Sequence, residues 1–355
     1  MRLGINLVPE GCAETAREAE RLGYGVAAAP EGFRCDAVSV LSWVAAQTSR
    51  IELLSTVIQI SARTPVNLAL TAATLDGLSG GRFLLGLGIS NAHVTEGWHG
   101  VPFAKPLART REYVGIVRRT LAGEPAVHSG EHFTLPLPGG KGGPFQLRGA
   151  SGAARVPVYL AAVGDRNLEL AGEIADGWVG VFCSPEQAGE AIGLLREGRR
   201  RAGGTDPGQN LDGFDAFVSV PAAAGDDIAA AAEPISHYVA HFMSLGERGS
   251  NFYFRLATRM GYGREAEEVY DRFHGGDPIG AAKAVPLSFI DRTSLLGPER
   301  RMSRRIAEYA EAGVTTLGIS PYASGGGDRV ATMRAVAEAH RSAGAGDPRG
   351  PVRRG

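Results

Sequence analysis

The chain has few cysteines, no long apolar run and no leader-like segment. Its three cysteines, Cys12, Cys35 and Cys183, lie far apart and form no CxxC pair. This spacing gives neither a disulfide framework nor a zinc motif, so we expect no metal site and a cytoplasmic location. No stretch approaches the roughly 18 apolar residues that a membrane span needs, and the N-terminus lacks the apolar segment of a signal peptide.

A net charge and several common catalytic motifs are also missing. The 37 Lys and Arg residues are balanced by 38 Asp and Glu residues, so no overall field attracts nucleic acid or anionic lipid. The basic run at 196–203 is interpreted as a helix C-terminus, where arginines suit the helix dipole. GxSxG, HExxH and GxxxxGK[ST] do not occur, and GLGISNA is not GxGxxG. We therefore expect neither a nucleic-acid partner nor a membrane partner.

What the sequence does contain is a regular alternation of short apolar runs and amphipathic segments. Hydrophobic residues make up 44% of the chain, enough for a large core. The alternation is typical of repeated βα units around a buried parallel sheet. Eight such strands close a barrel, so the predicted fold class is α/β, a (β/α)8 TIM barrel. The predicted strands cover 3–8, 24–31, 51–60, 83–90, 156–163, 177–182, 214–222 and 315–320.

Seven helices are predicted between these strands, several with a Ser, Thr or Asp cap or an early Pro. They cover 14–23, 36–49, 64–79, 107–123, 165–175, 184–201 and 298–313. Two insertions interrupt the repeat: 124–155, a Pro- and Gly-rich hairpin or irregular excursion after the fourth helix, and 223–300, which adds helices between the seventh and eighth strands. We predict one domain over 1–342 and a disordered tail over 343–355.

Because a TIM barrel is packed inside, its ligand must bind where the strands end. The fourth strand, FLLGLG, passes directly into ISNAHVTEGWHG, so polar and aromatic side chains follow a buried run. Gly86 and Gly88 point to one face, which either serves barrel packing or lets a flat ring approach the backbone. In the third strand and its loop, 53–65, Gln59 and Arg63 need solvent or a ligand.

The fifth predicted strand ends in AAVGDRNLELAG, which suggests an anion site. Gly164 leads there into a helix that opens with Asp165, Arg166 and Asn167. Amides at a helix start together with an arginine suit a phosphate group. The segment 318–329, GISPYASGGGDR, is the alternative, since barrels often hold phosphate near the seventh and eighth strands.

At these motifs the sequence resembles the bacterial-luciferase-like family, and specifically its branch that uses the deazaflavin coenzyme F420. The resemblance covers nearly the whole chain and is most specific in EGWHGVPFAKPLARTREYVGIVRRTLAG and VPVYLAAVGDRNLELAGEIADGWVGVF. It implies an isoalloxazine-like ring across the strand ends, with its phosphate beside the fifth strand. It also implies a non-prolyl cis peptide at Thr56-Val57.

The resemblance further implies roles for individual residues. Glu31 holds an acidic position typical of the family, but Gly32 follows it where relatives that oxidise sugar phosphates have histidine. His93, Glu96 and Trp98 are candidates for proton transfer or substrate stacking, and a structural role in their loop is the alternative. Carried over by position, the coenzyme contacts are Thr56, Val57, Gln59, Gly88, Ser90, Asn91, Ala162, Val163, Gly164, Asp165 and Arg166.

Three functions are compatible with this sequence. The first is an F420-dependent oxidoreductase that moves a hydride to or from a small organic substrate. The second is an FMN-dependent monooxygenase of the same fold, in which reduced flavin activates oxygen. The third is a non-catalytic flavin-binding protein.

The family commonly dimerises through the region from strand 2 to helix 3, so we expect a homodimer. Aromatic residues of the second insertion line either an apolar pocket or a dimer contact: Tyr238, His241, Phe242, Phe252 and Tyr253.

Overall fold

The computed structural model describes residues 1–148, 156–203, 211–323 and 328–344. Within these ranges no helix combines the length and the apolar character that crossing a bilayer requires. The predicted disordered tail lies outside the described residues except for Ala343 and Gly344.

Eight parallel strands close into a barrel, which confirms the predicted (β/α)8 fold. The ring runs β1, β2, β3, β5, β8, β9, β10 and β12, and it closes where Leu3 of the first strand lies opposite Leu317 of the last. The strands are β1 (Arg2–Asn6), β2 (Val26–Ala29), β3 (Glu52–Ser55), β4 (Ile58–Gln59), β5 (Phe83–Gly88), β6 (His128–Ser129), β7 (Thr134–Leu135), β8 (Val158–Ala161), β9 (Gly177–Val181), β10 (Asp215–Ala224), β11 (Leu295–Gly297) and β12 (Thr316–Pro321).

Two details of the sheet differ from the prediction. The third predicted strand, 51–60, is interrupted at residues 56–57, so that β3 and β4 are separate strands and β4 pairs only with the end of β5. The strand β11 was not predicted, and it extends the sheet beside the C-terminal end of β10.

All seven predicted helices are present, with ends shifted by at most four residues. The structure adds α4 inside the segment predicted as a loop, and α14 after the last strand. The helices are α1 (Cys12–Leu22), α2 (Ala37–Ala45), α3 (Pro65–Leu78), α4 (Ala92–Gly97), α5 (Pro106–Leu121), α6 (Asp165–Ile174), α7 (Pro185–Arg201), α8 (Ile228–Met243), α9 (Phe252–Arg259), α10 (Gly263–His274), α11 (Pro278–Ala284), α12 (Leu287–Arg292), α13 (Glu299–Glu311) and α14 (Arg329–Ser342).

A charged network closes the N-terminal end of the barrel. Arg2 Nη1 donates to Glu52 at 2.6 Å, and its Nη2 donates to Asp215 at 2.9 Å. The hydroxyl of Tyr159 also donates to Asp215, at 3.0 Å. Burial by itself would lower the pKa of Arg2, but the two carboxylates raise it above its ordinary value. With side chains also filling the interior, Phe217 among them, ligands have access only at the C-terminal rim.

The first insertion contains an antiparallel hairpin of β6 and β7. The carboxylate of Glu112 on α5 accepts hydrogen bonds from the backbone amides of Glu131, His132 and Phe133, which attaches the hairpin to the barrel. Residues 149–155 of this insertion lie outside the described part of the chain.

The second insertion forms a helical layer over one side of the C-terminal rim. Its helices α8 to α12 surround a second apolar core that includes Phe182 after β9 and Ala223 of β10. Because this core reaches the strand ends, the insertion forms part of the barrel mouth. Its buried members include Ile235, Val239, Phe254, Val269, Ala281 and Phe289.

Candidate active site at the barrel mouth

The floor of the barrel mouth is polar on one side. Asn6, the last residue of β1, donates through Nδ2 to Ser219 at 2.7 Å and to Ser320 at 2.9 Å. All three residues are partly exposed at the strand ends. This side of the mouth can therefore receive a polar group of a ligand.

The cis peptide implied by the resemblance is present at Thr56-Val57, between β3 and β4. Thr56 and Val57 are partly exposed, and Gln59 is 8% exposed. A Cβ atom at Gly86 would overlap the Ser55 carbonyl oxygen, and one at Gly88 would overlap the Val57 side chain. Protein atoms therefore fill the space that a side chain at either glycine would need, so barrel packing accounts for both residues, and the approach of a ring to their backbone stays a prediction. The predicted coenzyme contact of Gly88 stays a prediction through its backbone.

Glu31 belongs to an ion-pair chain at the mouth. Arg63 Nη1 donates to both Glu31 carboxylate oxygens, at 2.7 and 2.8 Å, and its Nη2 donates to Asp36 at 2.5 Å. Burial would raise the pKa of Asp36, but hydrogen bonds from Ser39 and the charge of Arg63 lower it below its usual value. Glu31 Oε1 also accepts a hydrogen bond from the backbone amide of Gln59 at 3.3 Å. These contacts fix the position of the Glu31 carboxylate at the mouth.

Two of the predicted site residues in the segment after β5 accept hydrogen bonds from backbone amides of that segment. Asn91 caps α4 by accepting from the Val94 amide at 3.0 Å, and Glu96 accepts from the Phe103 amide at 2.9 Å. Ser90 has a positive φ of 62° and is exposed. His93 is also exposed, and its Cβ lies near Gly246 of the insertion. The structural alternative therefore accounts for the contact of Glu96, whereas the coenzyme contact of Asn91 stays a prediction beside its role as a helix cap.

Trp98 and His99 bring the same segment to the mouth. The Trp98 ring packs edge-on against Phe33, with centroids 4.4 Å apart, and remains 42% exposed. A ring nitrogen of His99, Nε2, lies 3.0 Å from the Gln59 side-chain oxygen. His99 thus connects Gln59, next to the cis peptide, with the aromatic side chains of the mouth.

The predicted phosphate loop lies at the edge of a cavity of about 880 Å³. Val163, Gly164, Asp165 and Arg166 all line it. No side chain caps the N-terminus of α6, so its first amides are available to an anion. Ala162 is not among the residues that line the cavity: it is buried, and its carbonyl oxygen accepts a hydrogen bond from the Trp178 indole at 2.8 Å, so its coenzyme contact stays a prediction.

Three further arginines reach this cavity from the second insertion. Arg248, Arg255 and Arg259 line it together with Arg166, and we call this space the arginine cavity. Arg248 is paired with Glu267 and Asp271. Among the described residues the other three arginines make no ion pair, and all three are exposed. The sequence analysis gave these three arginines no role. Arg255 and Arg259 are four residues apart in YFRLATR, however, and this spacing places them on one helix face.

The alternative phosphate segment, 318–329, includes residues 324–327, which lie outside the described residues.

Aromatic rings of the insertion continue the wall of the mouth. His241 lies 6.0 Å from Phe33 between centroids, and Phe242 lies 5.6 Å from His241. Phe182 stacks on Tyr238 at 5.1 Å, and Phe252, beside Tyr253 at 5.4 Å, lines the arginine cavity. Burial lowers the pKa of His241. These rings pack within the chain and connect the mouth to the arginine cavity.

The sequence profile of the luciferase-like monooxygenase family matches residues 7–316. The chain belongs to this family. A luciferase-like relative in Mycobacterium tuberculosis, named as a coenzyme F420-dependent oxidoreductase, is 36% identical over 95% of this chain and 99% of its own length.

Solved structures support the luciferase-like fold. The coenzyme F420-dependent tetrahydromethanopterin reductase of Methanopyrus kandleri superposes with a TM-score of 0.80 at 24% identity, over 95% of this chain and 97% of its own. An F420-dependent secondary alcohol dehydrogenase superposes with a TM-score of 0.75 at 19% identity, over 96% of this chain and 98% of its own.

Proposed function

We propose that this protein is a coenzyme F420-dependent oxidoreductase acting on a small organic substrate. The observation that carries the proposal is the arginine cavity, where the open N-terminus of α6 and four arginines converge beside the barrel mouth. This donor set suits a planar coenzyme with an anionic side chain. The relatives named above support F420 as that coenzyme.

The cationic groups favour F420 over FMN. The α6 amides together with Arg166 suffice for one phosphate. Arg255 and Arg259, which have no acidic partner among the described residues, are free to bind further anionic groups. FMN carries a single phosphate, whereas the F420 side chain continues beyond its phosphate with carboxylates. The cavity therefore matches the longer, more anionic side chain.

The ring of the coenzyme is assigned to the region around the cis peptide. Thr56, Val57 and Gln59 lie there with the backbone of Gly88, and Ser90 and Asn91 follow at the edge. Val163, Gly164, Asp165 and Arg166 then hold the phosphate end. When bound, the deazaflavin supplies hydride transfer.

The protein orients the substrate and handles its proton. Glu31, held by Arg63, is the candidate proton acceptor, and Trp98 offers a partly exposed ring for substrate stacking. His93 and Glu96 lie in the same segment, but the Glu96 carboxylate is bonded to the Phe103 amide. All four stay candidate catalytic residues, and the Glu31 carboxylate is the one joined to the cis-peptide region, through the backbone amide of Gln59.

The test is a titration of the purified chain with F420 and with FMN, followed by turnover assays with and without oxygen. Binding of F420 with hydride transfer in the absence of oxygen supports the proposal. Tight FMN binding without affinity for F420 would contradict it and favour the monooxygenase. Stoichiometric F420 binding without turnover across a broad substrate panel would favour a non-catalytic role.

We also propose a homodimer formed through α2 and α3. Trp43, Leu70 and Leu78 are 57%, 42% and 72% exposed on these adjacent helices. The only charged residue of the two helices, Asp76, is buried. Uncharged helix faces with an exposed tryptophan are typical of an interface. Sedimentation at micromolar concentration should give a dimer that the W43E/L78E variant does not form, and a monomeric wild type would refute the assignment.

A cytoplasmic location stays a prediction.

A further inference from the structure

The second insertion contributes its part of the arginine cavity from one short segment. All seven of its lining residues fall within 248–259, which comprises the turn before α9 and α9 itself. Arg255 and Arg259 lie on α9 and make no ion pair with a described residue. Because no carboxylate of the described chain holds their guanidinium groups, the backbone of α9 determines where these two arginines reach the cavity.

The side chain of Asn251 fixes the start of α9. It is 5% exposed, and its Oδ1 accepts a hydrogen bond from the Phe254 amide at 3.0 Å, which caps the helix. Its Nδ2 donates to three backbone carbonyls at the end of α8 and in the turn that follows. These are the carbonyls of Phe242, Met243 and Leu245, at 2.9, 3.0 and 2.9 Å. One buried side chain therefore ties the end of α8 to the beginning of α9.

Capping alone does not explain an asparagine at this position. Two other helices of the same insertion, α8 and α11, are capped by the exposed carboxylates of Asp227 and Asp277. An ionised carboxylate accepts hydrogen bonds but has none to donate, so it would leave the three carbonyls without their donor. Only a side-chain amide supplies the acceptor for the cap and the donors for the carbonyls together.

Two side chains of α10 hold the same turn. The Tyr270 hydroxyl donates to the Gly246 carbonyl at 2.9 Å, and His274 Nε2 donates to the Ser244 carbonyl at 3.0 Å. With the bonds from Asn251, every backbone carbonyl of residues 242–246 accepts a hydrogen bond from a side chain. The turn that leads into the cavity-lining segment is therefore fixed by side chains from outside it.

We propose that Asn251 is a positioning residue for the coenzyme: by fixing the start of α9, it places Arg255 and Arg259 where they bind the anionic side chain. Asn251 is not among the lining residues of the cavity, so it acts through the two arginines. Charge-assisted hydrogen bonds from a guanidinium group depend on its geometry, so a displaced α9 weakens them. The inference rests on the proposed function for the identity of the ligand.

The test uses the Asn251→Ser variant of the full chain. Serine caps a helix about as well as asparagine and changes no charge, but it lacks the amide that donates to the carbonyls. Three ligands are titrated: F420, the same deazaflavin with only its ribityl chain, and inorganic pyrophosphate. N251S should bind F420 and pyrophosphate about fivefold more weakly than the wild type, because both present anionic groups to the arginines. Its affinity for the uncharged ribityl deazaflavin should stay unchanged.

Two further variants separate positioning from stability. Ile290→Ala removes part of a buried side chain of α12 in the same apolar core, so it should lower the thermal midpoint but leave the three affinities unchanged. Tyr270→Phe removes the hydrogen bond to the Gly246 carbonyl and keeps the ring. Y270F should weaken F420 and pyrophosphate binding by about twofold, and it carries the test if N251S does not fold. Circular dichroism and the thermal midpoint establish folding.

A folded N251S with wild-type affinities would overturn the positioning role, as would an equal loss of affinity for all three ligands. A wild type that binds pyrophosphate but neither deazaflavin would contradict the proposed function. The comparison of pyrophosphate affinities would then still decide whether Asn251 positions the arginines. A wild type that binds none of the three ligands would contradict both.

Discussion

The two ends of the barrel differ in how completely their charged side chains pair with one another. At the N-terminal end, Arg2 is enclosed between Glu52 and Asp215, and the phenol of Tyr159 bonds the same carboxylate. At the C-terminal end, Arg166, Arg255 and Arg259 of the arginine cavity make no ion pair with a described residue, although Arg248 in the same lining and Arg63 at the mouth are paired. Charges that satisfy one another contribute to a closed structure, whereas charges left without a partner are available to a ligand.

Breaking the closed end should have the largest effect. Arg2→Met leaves Glu52 and Asp215 as buried carboxylates without their cation, so we expect the free energy of unfolding to fall by about 3–5 kcal/mol. Urea denaturation followed by circular dichroism measures the change. Arg21→Met on the exposed side of α1 is the control and should leave the midpoint unchanged. A wild-type midpoint for Arg2→Met would refute the structural role of the network.

Removing charge at the open end should affect binding and leave stability intact. For R255M/R259M we expect F420 affinity to fall by about tenfold or more, because two cations that face the anionic side chain are lost. The loss should shrink at high salt. Fluorescence titration at two ionic strengths measures it. Arg264→Met, at an exposed position on α10 outside the cavity lining, should bind as the wild type does. Unchanged affinity in the double variant would place the coenzyme side chain elsewhere.

The smallest effect is expected at a half-exposed ion pair of the mouth. Asp36→Asn keeps an oxygen that can cap α2 through the Ser39 amide but removes the charge facing Arg63. We expect a loss below about 1 kcal/mol at pH 7. The folded-state pKa of Asp36 is lowered, so its stabilisation is present above the unfolded value and disappears as pH falls through the folded value.

Thermal midpoints of the wild type and D36N at pH 7 and pH 3 check this prediction. The two proteins should differ at pH 7, and the difference should be smaller at pH 3, which lies below the ordinary pKa of the carboxyl. A difference that grows at pH 3 would show that the Asp36 charge does not stabilise the folded state.

Local signals were sufficient for the barrel framework. The alternation of apolar runs with capped helices predicted every strand of the ring, and the Gly164 turn predicted an anion site that the arginine cavity adjoins. The local signals did not predict α4. They indicated Asn91 as a ligand contact, and only its hydrogen bond from the Val94 amide shows that it caps this helix. They also left open whether Gly88 serves packing or ring binding, because Val57, the neighbour that would clash with a side chain there, is 31 residues away in the chain.

Sequence by itself determined the eight-stranded barrel and its active rim, because both follow from short-range periodicity and from the direction of parallel strands. Tertiary structure alone decided which arginines lie at the mouth without an acidic partner among the described residues. Arg255 lies about 90 residues from Arg166 in the chain, so their meeting depends on how the insertion packs over the strand ends. No periodicity encodes that packing, since it results from apolar contacts between segments far apart in the chain.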